Sequence, residues 1–126
     1  MDSVSERKTV GAALVVGAGI AGIQASLDLA ASGYRVYLVD SAPAIGGVMA
    51  QLDKTFPTND CSMCILSPKV VECARHLNIE LMTWAELESV TGQAGDFHAR
   101  IRHKPRLVDM AKCTGCNDCV QVCPVA

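Results

Sequence analysis

A glycine-rich turn near the start of the chain constrains its fold more than any other feature. Gly17, Gly19 and Gly22 have the spacing G-x-G-x-x-G, after the apolar run "AALVV" and before "IQASLDLAAS", which is rich in helix formers and ends at Gly33. A second apolar run, "RVYLVD", occupies Arg35–Asp40. The order strand, turn, helix, strand predicts an α/β fold that begins with a Rossmann-like βαβ unit and parallel strands.

Each glycine of this turn has a distinct task in a dinucleotide site. The first permits a tight turn, the second lets a pyrophosphate approach the backbone, and the third lets the helix pack closely on the strand. Asp40 follows at the distance, about 20 residues on, at which an acidic side chain binds ribose hydroxyls. The pattern therefore predicts that Gly17, Gly19, Gly22 and Asp40 bind a dinucleotide, and the alternative is a turn that binds nothing.

Further elements follow this unit. Residues 41–60 are predicted to form a loop, and a helix is predicted to begin at Ser67, with Pro68 in its first turn and its end at Asn78. The apolar stripe expected on this helix consists of Val70, Val71, Ala74 and Leu77. "IELM" predicts another strand, and "LESV" and "DFHARIRHK" predict a β-hairpin that turns at residues 92–95.

Composition limits the functions open to the chain. Its 126 residues, with 50% hydrophobic and 19% charged, indicate one packed core. A net charge of −2 argues against nucleic-acid binding, because the short basic alternation at residues 100–106 is typical of a solvated strand face. No apolar run approaches the roughly 18 residues of a membrane span. The polar N-terminus has no signal-type pattern, so we expect a cytoplasmic protein.

Four cysteines close the chain in the spacing C-x2-C-x2-C-x3-C. They are Cys113, Cys116, Cys119 and Cys123, and Pro124 follows directly. This is the spacing of a bacterial 4Fe-4S ferredoxin, in which the fourth cysteine ligates the neighbouring cluster. Zinc is the competing ligand, although zinc sites usually bring their second pair after a longer gap. The motif therefore predicts that these four thiolates bind iron–sulfur clusters.

The remaining cysteines allow several roles. Cys61 and Cys64 form a separate C-x2-C motif, which could be a redox dithiol near a flavin, a partial ligand set for a further cluster, or two buried small side chains. Cys73 stands alone on the predicted helix and is expected to pack in the core. We expect redox chemistry or ligation from Cys61 and Cys64.

The segment after Asp40 resembles a particular class of flavoprotein. In "VDSAPAIGG" an acidic residue is followed by the paired glycines Gly46 and Gly47. This resembles flavoproteins with two dinucleotide-binding domains, of the thioredoxin reductase and glutathione reductase type. The resemblance implies that the dinucleotide is FAD rather than NAD, and that Gly46 and Gly47 contribute to its site.

A longer resemblance covers nearly the whole chain from about Ala12. The strings "AQLDKTFPTNDCSMCILSPK" and "KPRLVDMAKCTGCNDCVQVCPV" closely resemble the A subunit of heterodisulfide reductase, an iron–sulfur flavoprotein. The resemblance implies a FAD-binding domain over residues 10–108, which is only partial, and the start of a 4Fe-4S ferredoxin-type domain over residues 109–126. It also implies that the chain is an N-terminal fragment of a longer protein.

The resemblance further implies an oxidoreductase acting on sulfur groups. Its FAD would exchange electrons with iron–sulfur clusters, with electron bifurcation in some complexes, and the partners would be other heterodisulfide reductase-like subunits and redox proteins. The fragment alone would be inactive. The rival hypothesis is a non-catalytic dinucleotide-binding electron-transfer protein that is complete at this length.

Overall fold

The fold was analysed in a computed structural model that describes residues 11–125. The polar leader at residues 1–10 lies outside these residues. So do the outer limits of the two predicted domains, residues 10 and 126.

A parallel three-stranded sheet forms the centre of the molecule, as the sequence predicts. Strands β1 (Ala12–Val16), β2 (Arg35–Asp40) and β3 (Ile79–Thr83) lie in the order β1-β2-β3. Val16 lies opposite Val39, and Asp40 lies opposite Thr83. Because all three strands run the same way, the glycine turn after β1 and the loop after β2 meet at one edge of the sheet.

Two helices cover one face of this sheet and enclose the core. Helix α1 (Ile20–Ala31) joins β1 to β2, and helix α2 (Ser62–Arg75) packs beside it. Alternate residues of β2 point toward these helices, as the period of a strand requires. The fully buried members of the core include Ala18, Ile23, Val36, Leu38, Leu66 and Cys73. The predicted core position of Cys73 is therefore confirmed.

Both helices begin earlier than the sequence predicts. α1 starts at Ile20, so Gly22 lies inside it. α2 starts at Ser62 rather than near Ser67 and ends at Arg75 rather than at Asn78, and Cys61 is its N-cap. The Cys61 thiol accepts the Cys64 N–H at 3.3 Å, a role that Ser, Thr, Asp or Asn usually has.

The correction to α2 moves Pro68 from the predicted first turn into the helix interior. Because proline has no N–H, Pro68 cannot donate to the carbonyl of Cys64, so the helix continues with one backbone hydrogen bond fewer. The predicted apolar stripe was also wrong in part. Val70 packs against the core, whereas Val71 and Leu77 are 45% and 87% exposed. The buried side of α2 carries Ser62, Leu66 and Cys73.

The predicted hairpin is present. Strands β4 (Ala85–Gln93) and β5 (Asp96–His103) pair in antiparallel orientation, and their apolar side chains line an open cleft of about 730 Å³ against the uncovered face of the parallel sheet. Two basic side chains make ion pairs across the hairpin: Arg102 of β5 contacts Glu86 at 2.7 Å, and Lys104 contacts the same carboxylate. These two cations lower the pKa of Glu86.

The cysteine-rich segment follows the hairpin. Arg106 donates to the Thr83 hydroxyl at 2.6 Å and to the Pro43 carbonyl at 3.3 Å, so the chain leaves the hairpin beside the loop after β2. The segment contains one short helix, α3 (Asp118–Gln121). In residues 11–125, no helix has the length and apolar character needed to cross a bilayer.

Candidate dinucleotide site and cysteine pairs

The first glycine of the turn allows the chain to reverse at the end of β1. Gly17 has φ +101°, which side chains of L-residues rarely tolerate. Its N–H donates to the carbonyl of Val39 at 2.7 Å, which holds the turn against the end of β2. Gly17 therefore has the tight-turn role that the spacing predicts.

The third glycine allows α1 to pack against the turn. A Cβ atom at Gly22 would lie 1.8 Å from the carbonyl oxygen of Gly17 and 3.6 Å from the Val15 side chain. The 1.8 Å contact cannot be relieved by a side-chain rotation, because both atoms have positions fixed by the backbone. The close approach of helix and strand thus requires glycine here.

The second glycine faces open space. A Cβ at Gly19 would meet no atom within 4 Å, and Gly19 has φ −74°, which any residue can adopt. Gly19 is the N-cap of α1, where no side chain caps the helix and the first turn has no acidic residue. The free N–H groups at this end and the positive end of the helix dipole can bind phosphate oxygens. The open space at Gly19 fits the pyrophosphate of a dinucleotide.

The paired glycines lie against this turn. Gly46 donates its N–H to the carbonyl of Ala18 at 2.7 Å. A Cβ at Gly47 would lie 2.9 Å from the Cα of Gly19, and both Gly46 and Gly47 have positive φ. The structure therefore brings together Gly17, Gly19, Gly46 and Gly47.

The Asp40 carboxylate is oriented by two backbone groups. Its Oδ2 accepts the N–H of Ala18 at 2.5 Å, and its Oδ1 accepts the N–H of Ala42 at 2.7 Å. Each carboxylate oxygen has a further lone pair, which can accept a ribose hydroxyl. Asp40 borders a cleft of about 560 Å³ whose lining includes Gly17, Ser41 and Glu86. The fingerprint residues and this cleft could together hold the phosphates and a ribose of FAD.

Replacing Asp40 with Asn should weaken both the fold and the site. An amide has one acceptor oxygen, so the N–H of either the buried Ala18 or the half-buried Ala42 would lose its partner, which costs up to about 1–3 kcal/mol. We expect Asp40→Asn to lower the free energy of unfolding by this amount and to weaken FAD binding. Asp28→Asn, on the exposed face of α1, is the control and should change stability by less than about 0.5 kcal/mol. Equal stability of the two variants would contradict the double role of Asp40.

The backbone partners of this site have no signal in the sequence. The N–H groups of Ala18 and Ala42 orient Asp40, and Leu66 lies 3.4 Å from a Cβ built at Gly46. Main-chain N–H groups are the same in almost every residue, so the sequence does not reveal which of them will bond. The contact between Gly46 and Leu66 joins positions 20 residues apart. Only the three-dimensional structure identifies these contacts.

Cys61 and Cys64 lie together at the start of α2. Both side chains are exposed, and the Cys61 sulfur accepts the Cys64 N–H. The Cys64 thiol and then its N–H lower the pKa of Cys61, while the Asp53 carboxylate opposes them. The same thiol contact, followed by desolvation, raises the pKa of Cys64. The two thiols are therefore inequivalent.

The four terminal cysteines are all exposed. Cys119 lies in the short helix α3, Cys123 follows its end, and Cys113 and Cys116 precede it in a loop where Gly115 and Asn117 have positive φ. Among residues 11–125, no three Cys, His, Asp or Glu side chains are close enough to hold a metal ion. The donor set has the composition and spacing that a 4Fe-4S cluster requires, and cluster binding stays a prediction.

Comparison with known proteins identifies a family and close relatives. Residues 13–122 match the family described as FAD dependent oxidoreductase. The chain is 58% identical over 113 residues to the A subunit of the H(2):CoB-CoM heterodisulfide,ferredoxin reductase of Methanothermobacter marburgensis. It is also 58% identical over 113 residues to an iron-sulfur A subunit of the CoB--CoM heterodisulfide reductase of Methanopyrus kandleri. Each alignment covers 90% of this chain and 17% of the relative, so the chain spans about a sixth of their length.

A solved structure confirms the fold. The crystal structure of thioredoxin reductase from T. acidophilum matches with a TM-score of 0.58 at 23% identity, over 70% of this chain and 29% of that one. The predicted α/β fold and the resemblance to the A subunit of heterodisulfide reductase are both confirmed. Because the family match spans most of its residues, the chain belongs to the family of FAD dependent oxidoreductases.

Proposed function

We propose that this chain is the FAD-binding part of a heterodisulfide reductase-like protein that transfers electrons between flavin and iron–sulfur clusters. The observation that carries the proposal is the open space at Gly19, bordered by the N-terminus of α1 and by the Gly46–Gly47 turn. Asp40 supplies the ribose acceptor beside it. Similarity to the A subunits of named heterodisulfide reductase complexes supports the proposed function.

The terminal cysteines supply the iron–sulfur part of the proposal. Cys113, Cys116 and Cys119 would hold three irons of one 4Fe-4S cluster, and Cys123 would ligate a neighbouring cluster. The name of the Methanopyrus relative, which includes the words iron-sulfur, supports this part. Cys113 and Cys116 precede α3 and Cys119 lies in it, whereas Cys123 lies after it. The helix therefore separates the two ligand groups along the chain.

The partners in this proposal are other subunits of a heterodisulfide reductase-like complex. Electrons would pass through the clusters toward a partner that reduces a disulfide. We also propose that an electron pair is divided between a high-potential and a low-potential acceptor. The chain has seven cysteines, and thiolate ligands suit a reducing compartment, so we place the complex in the cytoplasm.

The proposal is tested by anoxic purification of the protein with its co-eluting partners. We expect FAD and iron in the purified complex, together with reduction of a disulfide substrate by an added low-potential donor. A Gly19→Val variant should assemble with the same partners and lack both FAD and turnover. Disulfide reduction at the wild-type rate by a flavin-free complex would contradict the proposal.

Substitution of single cysteines should distinguish the two clusters. Cys123→Ser is expected to perturb the neighbouring cluster and to spare the one held by Cys113, Cys116 and Cys119. Cys116→Ser is the matched variant and should remove the first cluster instead. Electron paramagnetic resonance of the reduced complexes reports the two signals separately. Loss of the first cluster alone in Cys123→Ser would mean that all four cysteines ligate one cluster.

A further inference from the structure

A tryptophan with an unusual backbone conformation lies beside the loop that orients Asp40. Trp84 joins β3 to β4 and has φ +57°, in the left-handed region that bulky side chains rarely adopt. Such a conformation is costly and persists only where neighbouring contacts hold it. The contacts of Trp84 therefore indicate what its conformation serves.

The backbone of Trp84 connects the Asp40 carboxylate to a later part of the chain. The Trp84 N–H donates to the carbonyl of Ala42 at 2.9 Å, and the Ala42 N–H donates to Oδ1 of Asp40 at 2.7 Å. On its other side, the Trp84 carbonyl accepts the N–H of Lys104 at 2.8 Å. A series of hydrogen bonds through Trp84 and Ala42 thus joins Lys104 to the Asp40 carboxylate.

The side chain of Trp84 contacts the same later part of the chain, residues 104–106, which form the clamp segment. The indole Nε1 donates to the carbonyl of Pro105 at 3.2 Å, and the Lys104 ammonium lies 4.9 Å from the centroid of the indole ring. The same ammonium contacts the carboxylate of Glu86, which lines the cleft beside Asp40. Backbone and side chain of Trp84 are therefore both held by the clamp segment.

The last residue of the clamp segment holds the Asp40 loop directly. Nη2 of Arg106 donates to the carbonyl of Pro43 at 3.3 Å and to the hydroxyl of Thr83 at 2.6 Å. Thr83 lies opposite Asp40 in the parallel sheet. One guanidinium group thus fixes the loop after β2 against the end of β3. Beyond Arg106 the chain continues into the segment with the four terminal cysteines.

We propose that the clamp segment positions Asp40 for the nucleotide and thereby couples the dinucleotide site to the cysteine segment. Arg106 is a positioning residue in this proposal, because it contacts the loop that orients Asp40. The nucleotide is FAD, so the proposal rests on the proposed function. Because coupling between two sites is reciprocal, bound FAD should stabilise the clamp segment to the same extent as the clamp segment stabilises the bound FAD.

Removal of the Arg106 hydrogen bonds tests the proposal. Arg106 is exposed, so its replacement leaves the core intact. We expect Arg106→Met to bind FAD about three- to tenfold more weakly than the wild type in an equilibrium titration, because two hydrogen bonds to the loop and to β3 are lost. Arg106→Lys should recover part of this loss, since an ammonium group can donate to both oxygens. Wild-type affinity in Arg106→Met would overturn the proposal.

The matched control removes the same charge elsewhere on the hairpin. Arg100 is also exposed and lies in β5, opposite Ser89. Arg100→Met should bind FAD within about twofold of the wild type, because only a general attraction between the basic hairpin and the phosphates is lost. An equal loss of affinity in Arg100→Met and Arg106→Met would attribute the effect to charge and contradict positioning.

A double-mutant cycle distinguishes positioning of Asp40 from general destabilisation. If Arg106 acts through Asp40, Arg106→Met should weaken FAD binding by less than about twofold in the Asp40→Asn background. Equal fold losses in the two backgrounds would mean that Arg106 affects the nucleotide independently of Asp40, and the proposal would be wrong.

Hydrogen exchange of the apoprotein gives a result that does not depend on FAD. The N–H groups of Ala42 and Trp84 should exchange at least about threefold faster in Arg106→Met than in Arg100→Met, because the clamp segment holds the residues that bond them. In the wild type, added FAD should slow exchange of the Lys104 N–H. Unchanged exchange at Ala42 and Trp84 would overturn the proposal. Faster exchange there, in a protein whose wild type does not bind FAD, would contradict the FAD assignment alone.

Discussion

Gly19→Val should abolish FAD binding and leave the fold intact. Gly19 has φ −74°, and a Cβ at this position has no atom within 4 Å, so the protein itself has room for the Cβ of valine. That room is the space assigned to the pyrophosphate, and the side chain would also shield the first N–H groups of α1 from the phosphate oxygens. We expect the flavin absorbance of the purified variant to disappear while its circular dichroism spectrum stays native.

The size of the side chain offers a graded control for this prediction. Gly19→Ala occupies less of the same space and should reduce FAD affinity without abolishing it. Both variants should lose no more than about 1 kcal/mol of stability, because the added Cβ meets no protein atom and glycine is preferred to alanine and valine at an N-cap by up to about this amount. Full FAD content in Gly19→Val would show that the dinucleotide does not cross this turn.

Gly22→Ala should have the opposite effect, a loss of stability. The added Cβ would lie 1.8 Å from the carbonyl oxygen of Gly17, so α1 must move away from β1. Overpacking against side chains typically costs about 1–3 kcal/mol, and a backbone neighbour cannot rotate away, so we expect at least about 3 kcal/mol. Urea unfolding of apoprotein measures this directly, with Gly19→Ala as the matched control. An unchanged midpoint for Gly22→Ala would contradict the observed packing of α1 on the turn.

The βαβ unit was predicted well from the sequence because its signals are local. The glycine spacing reflects backbone demands within six residues, and the two apolar runs have the length of strands. β1, β2 and β3 accordingly lie where the sequence predicts them. The role of Gly22 also follows from spacing alone, and the contact with Gly17 provides its physical reason.

The start of α2 could not be predicted, because its signals are unusual or distant in sequence. Its cap is a cysteine thiol, which is not among the usual capping side chains, and Pro68 suggested a helix start that lies five residues too late. The anchor of this helix is also non-local, since the Ser62 hydroxyl bonds to a carbonyl ten residues earlier. Consequently Cys61 and Cys64 were expected in a loop, whereas they belong to a helix N-terminus.

The residues of the candidate site were predicted from the sequence, whereas the contacts between them were not. Asp40 was identified from its distance to the glycine turn, but its two backbone hydrogen bonds depend on where the loop after β2 folds back. Gly46 and Gly47 were identified from a resemblance, and their contact with the glycine turn is visible only in three dimensions. The role of the terminal cysteines stays a prediction from their spacing.

Identification of the bound nucleotide tests the central claim most directly. The wild-type protein is purified without added cofactor and denatured, and the released nucleotides are separated and quantified against protein concentration. We predict FAD, at about one molecule per chain, because one glycine turn forms one dinucleotide site. Release of NAD in place of FAD would contradict this prediction. So would the absence of bound flavin after the protein has been incubated with excess FAD.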